Sequence, residues 1–468
     1  MLKKLFTAAA LALAVLSFPA AAAEEKAGPI PIGEIRDFAN IYGAIKSYYV
    51  DETKDGQLFE DALAGLVSGL DPHSSYLNKE DFEDLSETTK GEFGGVGMEV
   101  SMDAGGVLVI SPIDDTPAQK AGVHAGDVII KIDGEATVGL TLNENVKRLR
   151  GKPGTQVKIT IARKDSDQPV NLTLTRAIIK AESVKTKRLK SDYFYARVSQ
   201  FQERTANDLA RALTAEMKKA PLKGVILDLR NNPGGLLTSA VGVSAVFLPP
   251  GTDVVSTRGR GGKITMELKT RPRDYATEDS GKDFVALVPK EAKKLPMAVL
   301  INAASASASE IVSGALQDQK RAVIMGRRSF GKGSVQTIIP LKNSEDRKVE
   351  TGIKITTARY YTPSGRTIQA RGITPDVELW DTPEGNFIAF DIREEDLAGH
   401  LIAENTGRAA KEGAAKEKPK AAAAPEVRDK QPMTRYSFGD EKDFPLAEAV
   451  RYLNGEKLLT GAKKPAAK

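Results

Sequence analysis

The stretch from Met297 to Leu316 limits the possible folds more than any other. Met297-Ala298-Val299-Leu300-Ile301 is an apolar run of strand length, and Ile311-Val312-Ser313-Gly314-Ala315-Leu316 reads as the first turns of a helix. Between them stand Ser305, Ser307 and Ser309, separated by alanines. A buried strand therefore hands over to a helix through serine and alanine. The first amides of a helix lack partners, and its dipole favours negative charge there. A serine oxygen at that point can attack a carbonyl, and the oxyanion formed meets amide donors. Serine is equally a favoured N-cap, so the phrase alone also fits a plain helix start.

Downstream, Gly331-Lys332-Gly333-Ser334-Val335-Gln336 sets a lysine between two glycines, which leave its side chain uncrowded. A lysine serves as general base for a serine when burial lowers its pKa from about 10.4. Phe330 and Val335 are apolar neighbours that can supply that burial. The chain has three histidines, His73, His124 and His400, and no cysteine. None of the three lies in a strand-to-helix turn beside a serine, so a Ser–Lys dyad is easier to build here than a Ser–His–Asp triad. Gly326 to Lys332 also fits the start of a nucleotide-binding loop, G-x-x-x-x-G-K. That reading fails at Gly333, where a hydroxyl is needed for magnesium, and at the β-branched run that follows, where a helix is required.

A chain of 468 residues implies two to four domains. The formal charge of +5 is small for this length, and many lysines lie in the tail, so no nucleic-acid surface is indicated. Lys3 and Lys4, the apolar run from Leu5 to Leu16, and Ala21-Ala22-Ala23 have the pattern of a secretory signal over residues 1–23. The periplasm is the expected location, with membrane association as the alternative if the leader stays uncleaved.

Residues 30–90 read as a helical segment. Ile35, Phe38, Ile41, Ile45 and Tyr48 recur at helical spacing, and a second amphipathic run stops at Asp71-Pro72. Residues 91–177 form a separate module. Its parts are the glycine turn Gly94-Gly95-Val96-Gly97-Met98, strands at Val107–Ile110, Val128–Ile132 and Val157–Ile161, and helices at 116–121 and 142–149. In this order they resemble a PDZ domain. PDZ domains bind a chain's C-terminal carboxylate on the amides of such a turn and add its last residues as a strand. By that resemblance Val96, Gly97 and Met98 would hold a substrate's C-terminus.

From residue 178 strands and helices alternate. Val225 to Arg230 suits a buried parallel strand, and it ends in Asn231-Asn232-Pro233-Gly234-Gly235. A glycine pair after a strand exposes amides that can hold an anion. Gly234 and Gly235 are read as half of an oxyanion hole opposite the Ala308 amide, although the motif also fits an ordinary strand-to-helix turn. Val254 to about Lys282 reads as a polar surface excursion. The core is expected over 178–385, a solvated linker rich in Ala, Lys, Glu and Pro over 386–425, and a C-terminal segment with a short helix over 426–468.

Taken together, Ser305-Ala306-Ser307-Ala308-Ser309-Glu310, Phe330-Gly331-Lys332-Gly333, Gln336, Asp228 to Gly235, Leu70 to Tyr76, Tyr361 to Gly365 and the preceding PDZ module resemble the carboxy-terminal processing peptidases, also called tail-specific proteases. The resemblance covers roughly residues 35–380. It implies a crotonase-like α/β protease core with an inserted β-rich PDZ domain of two helices, preceded by N-terminal helices. Ser307 is then the nucleophile, Lys332 the general base and Gln336 its support. Neither a metal nor a cofactor is implied. The resemblance further implies protein substrates with exposed C-termini, gating by the PDZ module, homo-oligomers and, in some members, an adaptor protein. A PDZ scaffold without catalysis is the competing reading, and the presence of Ser307, Lys332 and Gln336 together argues against it.

Overall fold

The computed structural model describes residues 30–103, 106–113, 115–124, 126–163, 168–276, 282–342, 349–380, 382, 393–402 and 438–459. The expected secretory signal lies outside the described residues, as do most of the expected linker and part of the C-terminal segment. Two compact units divide the chain, Met1–Ala62 and Leu63–Lys468. No helix among the described residues is long and apolar enough to cross a membrane.

In the first unit the apolar spacing yields the helix Ile32–Tyr48, and a second helix, Asp55–Ser68, begins there. The Phe59 ring lies 6.1 Å from that of Phe38 and 5.2 Å from that of Tyr42, and Lys46 pairs with Asp55 at 2.8 Å. Ile35, Ile41 and Tyr48 are exposed.

The second unit is built on a six-stranded sheet. Its order is Val184–Arg188, Tyr193–Val198, Gly224–Asp228, Met297–Ile301, Val323–Gly326 and Val377–Glu378. The first pair is antiparallel and the rest run parallel. Side chains alternate across it. Phe194, Val225, Leu227, Val299 and Ile301 face the helices Thr205–Lys219, Leu237–Phe247 and Ala308–Asp318. Tyr195, Ile226, Ala298 and Leu300 face Leu446 and Ala449 of the helix Phe444–Leu453. Both faces are covered, which explains why the strands read as unbroken apolar runs. Each fully buried Leu, Val or Phe contributes about 1.5–3 kcal/mol.

A second, antiparallel sheet runs Ser75–Leu77, Val349–Tyr361, Asp253–Arg258, Ile264–Lys269, with Ser334–Lys342 also paired to Val349–Tyr361. The charged segment expected as a surface excursion supplies a hairpin of this sheet. Val254, Val255 and Thr257 are buried within it, while Asp253 and Glu267 are exposed and Arg258 lies over the Tyr361 ring.

The PDZ module has its own five-stranded path, Met98–Asp103, Gly106–Pro112, Val128–Ile132, Gln156–Ala162 and Val170–Thr175, and its own core around Val109, Ile129, Ile159 and Ile161. It is joined to the rest by a two-stranded stalk in which Glu92–Gly95 pairs with Ala177–Lys180. Its helix Leu142–Leu149 meets the helix Lys79–Lys90 through Lys147 and Glu80, 2.5 Å apart.

Candidate active site

Ser307 is the N-cap of the helix Ala308–Asp318 and has φ 54° and ψ −115°. A positive φ in a residue with a side chain is uncommon and is kept only where the surroundings enforce it. The two outer serines do much of that enforcing. Ser305 Oγ donates to Leu229 O at 2.8 Å, and Ser309 Oγ donates to Asn232 O at 2.9 Å. Both are fully buried, whereas Ser307 is partly accessible. The alternating phrase thus separates into two serines that pin the turn and one that the turn presents.

The turn they grip follows strand Gly224–Asp228. Asn231 has a positive φ of 58°; its backbone N–H donates to Asn302 Oδ1 at 2.9 Å, and its side-chain Oδ1 accepts from Asn302 Nδ2 at 2.8 Å. Ala306 N–H donates to Asn232 O at 3.0 Å. Gly234 has φ 107°, and a Cβ there would stand 2.6 Å from Ser307 Cβ and 3.0 Å from Ala308 N. Only glycine permits this approach. Gly234 N–H is engaged inside the turn, donating to Asn232 Oδ1 at 2.9 Å. The amides of Gly235 and Ala308 have no hydrogen-bond partner among the described residues. Of the two glycines expected to offer an amide, only Gly235 has one to spare.

One buried carboxylate joins Ser307 to the lysine turn. Glu310 Oε2 accepts Ser307 N–H at 2.8 Å and Lys332 N–H at 2.9 Å, while Oε1 accepts Gly331 N–H at 2.7 Å and Ser329 Oγ–H at 2.5 Å. Burial pushes its pKa up to about 7, against these four hydrogen bonds, which favour the carboxylate. Tyr360, wholly buried, donates its hydroxyl to Lys332 O. Burial pushes the Lys332 ammonium below the usual lysine range, and Lys354 adds to this. Glu394, Glu310 and Asp71 act in the opposite direction.

Gln336 lies on the strand that leaves this turn. Its amide donates to Ser334 Oγ at 3.0 Å and Thr356 Oγ1 at 3.1 Å, and no described hydrogen bond joins it to Lys332. Thr356 in turn donates to Asp71 Oδ1, which also accepts the amides of His73 and Ser74. The Asp71-Pro72-His73-Ser74 phrase is thereby tied to the lysine strand.

In the PDZ module the carbonyls of Val96 and Gly97 turn inward, accepting from Ala118 N–H at 2.8 Å and Ile113 N–H at 3.0 Å. Thr116 Oγ also donates to Gly97 O, and with φ +81° and Thr116 against its Cα, Gly97 has no room for a side chain. Met98 opens the next strand, opposite Pro112.

Sequence reasoning assigned no part to Glu310, Tyr360 or Glu394. A signal for the first was present, because Ser307-Ala308-Ser309-Glu310 has capping-box spacing. Tyr360 and Glu394 carry no such local mark.

The family model described as Peptidase family S41 matches residues 192–379, and that described as PDZ domain matches residues 94–174. A protein of Bartonella bacilliformis named "Carboxy-terminal-processing protease" is 45% identical over 373 residues, covering 79% of this chain and 80% of that protein. A protein of Staphylococcus haemolyticus named "Probable CtpA-like serine protease" is 35% identical over 347 residues, covering 74% of this chain and 65% of that protein. Among solved structures, the photosystem II D1 C-terminal processing protease is similar at 29% identity and a TM-score of 0.41, over 78% of this chain and 92% of that one.

Proposed function

The chain belongs to peptidase family S41, among the carboxy-terminal-processing proteases with a PDZ domain, and from that premise we propose that it cleaves by a Ser307–Lys332 dyad. The observation that carries the reading is the single Glu310 oxygen shared by the amides of Ser307 and Lys332. It ties the partly accessible serine of the three to a lysine that burial predisposes to be neutral.

Neutral Lys332 takes the proton of Ser307 Oγ as that oxygen bonds to the scissile carbonyl carbon. The electron pair moves onto the carbonyl oxygen, which faces the free amides of Ala308 and Gly235. The C–N bond then breaks, and Lys332 gives its proton to the leaving amine. Water next attacks the acyl-enzyme, loses a proton to Lys332 and releases the acid, and Ser307 regains its hydrogen. Gln336 supports the lysine strand through Ser334 and Thr356. The substrate's C-terminus docks at Val96, Gly97 and Met98 of the PDZ module. The core is crotonase-like, the enzyme works as a homo-oligomer in the periplasm after export, and an adaptor delivers some substrates. The parallel sheet with its covering helices, and the Lys3–Ala23 pattern, support the fold and the location.

The test is mass spectrometry of a loosely folded protein with an apolar C-terminus, incubated with the chain and with Ser307→Ala and Lys332→Ala variants. Cleavage that requires both residues and a free C-terminus is expected. Cleavage that survives both substitutions sinks the assignment.

A further inference from the structure

The short segment Arg393–Leu401 lies within the stretch expected to be a linker, yet it grips the lysine turn. Arg393 Nη1 donates to Arg328 O at 2.8 Å and Ser329 O at 2.9 Å, and Glu394 N–H donates to Phe330 O at 3.2 Å. Arg328 pairs with Glu395 at 2.5 Å. The segment thus fastens the three residues that precede Gly331.

The Glu394 carboxylate reaches further. It is fully buried, and its Oε1 accepts the Gln369 amide at 2.9 Å. Gln369 Nε2 also donates to Leu401 O, so this side chain is fixed at both ends of the segment. Its carbonyl, Oε1, accepts Gly333 N–H at 2.9 Å, and the next residue, Ala370, donates its N–H to Gly331 O at 2.8 Å. Both glycines flanking Lys332 therefore hang from the Gln369–Ala370 pair, which Glu394 anchors. From the other side His73 Nε2 meets Glu394 Oε2 at 2.7 Å. A buried carboxylate is tolerated only when it is paired and hydrogen-bonded, and here those partners all lead to the lysine turn or to the phrase that braces it.

We infer that Glu394 is a positioning residue for Lys332, acting through Gln369 on the two glycines of the lysine turn, with His73 holding it in place. The inference rests on Lys332 being the general base. The charge of Glu394 is part of the same role. The charged groups around Lys332 are Glu310 on the nucleophile helix, Lys354 on the facing strand, Asp71 on the turn beside it and Glu394, with His73 and Tyr360 as the titratable neighbours. Glu394 is among those that favour the protonated lysine. A group that only stabilised the fold would not move the pH at which the base becomes active.

The experiment is steady-state hydrolysis of an internally quenched peptide with a free apolar C-terminus by the full chain, as a function of pH. Glu394→Gln is expected to lower kcat at least tenfold with KM within twofold of wild type, and to move the acid limb of kcat/KM to lower pH. Glu394→Asp keeps the charge and loses reach, so kcat falls while the limb stays in place. His73→Ala, at the edge of the network, carries the same test if Glu394→Gln does not fold, with kcat expected to fall severalfold. A folded Glu394→Gln variant with wild-type kcat and limb overturns the inference, and so does a folded His73→Ala variant with wild-type kcat where the first does not fold. Full activity of Ser307→Ala or Lys332→Ala would instead overturn the dyad.

Discussion

Ser307 and Lys332 suspend their main-chain amides from the same oxygen of Glu310, at 2.8 and 2.9 Å. Ser307 caps the helix Ala308–Asp318 and Lys332 sits in the loop before the strand Ser334–Lys342, and one carboxylate oxygen, with two lone pairs, accepts both amides. Glu310→Gln would set an NH₂ or a single carbonyl where two oxygens now accept four donors. Leaving buried donors unpaired costs about 1–3 kcal/mol each. Thermal or urea denaturation should show the variant destabilised by at least that much, with kcat lowered more than KM is changed. A variant with wild-type stability and kcat would refute the linking role.

In the proposed dyad Lys332 must be neutral to act, so kcat/KM should rise with pH through its folded-state pKa. Burial and Lys354 hold that pKa below the usual value of 10.5. The acid limb is therefore expected below the ordinary lysine range. Lys354→Met removes a repelling charge, raises the pKa of Lys332 and should shift the limb to higher pH. A limb that does not respond would show that Lys354 does not act on the base.

Gly234→Ala meets Ser307 Cβ at 2.6 Å in a backbone with φ 107°. Either Ser307 or the turn must shift, and in the proposed mechanism a misplacement near 1 Å costs about 100-fold in rate. A loss of kcat of that order is expected, with peptide binding to the PDZ module unchanged by calorimetry.

Asp443, the N-cap of the helix Phe444–Leu453, takes both terminal nitrogens of Arg230 at 2.9 and 2.7 Å. Arg230 holds Asp228, where burial pushes the carboxyl up but the guanidinium outweighs it and keeps it charged. Asp443→Ala leaves Arg230 with one partner and should cost about 2–3 kcal/mol in urea denaturation. A loss under about 0.5 kcal/mol, as for exposed pairs, would mean the pair is solvated.

Lys293 donates to Ala245 O at 2.5 Å and Leu248 O at 2.7 Å, capping the helix Leu237–Phe247. Burial, with Arg321 nearby, lowers its pKa to about 8. The unfolded chain therefore holds that proton between about pH 8 and 10.5 when the folded chain does not. Linkage then makes stability rise with pH across that window. Lys293→Met should lack this component, seen as a flatter difference in denaturation midpoint between pH 8 and 10.

Much of the architecture was legible because periodicity is local. The helices Leu142–Leu149 and Phe444–Leu453 occupy the residues where apolar spacing puts them. The strand at 225–228 read correctly because burial on both faces removes polar alternation. The hairpin at 253–269 did not, because its second strand is largely exposed and its stability comes from pairing of the first to Val349–Tyr361. Within the site, Asn232 already sits two residues before Gly234, the spacing at which an asparagine side chain captures an amide. The partners of Gln336 and the reach of Glu394 were not legible, since Thr356 and Gln369 arrive from distant strands and loops.

In the stalk, Gly95 stands directly opposite Ala177. The described residues between those two form a body with its own sheet and core, and the two cut ends are already neighbours. A two-residue turn such as Asn-Gly could join them. The module is in this sense a cassette: it can be excised or exchanged for one with another peptide preference without breaking a strand of the central sheet.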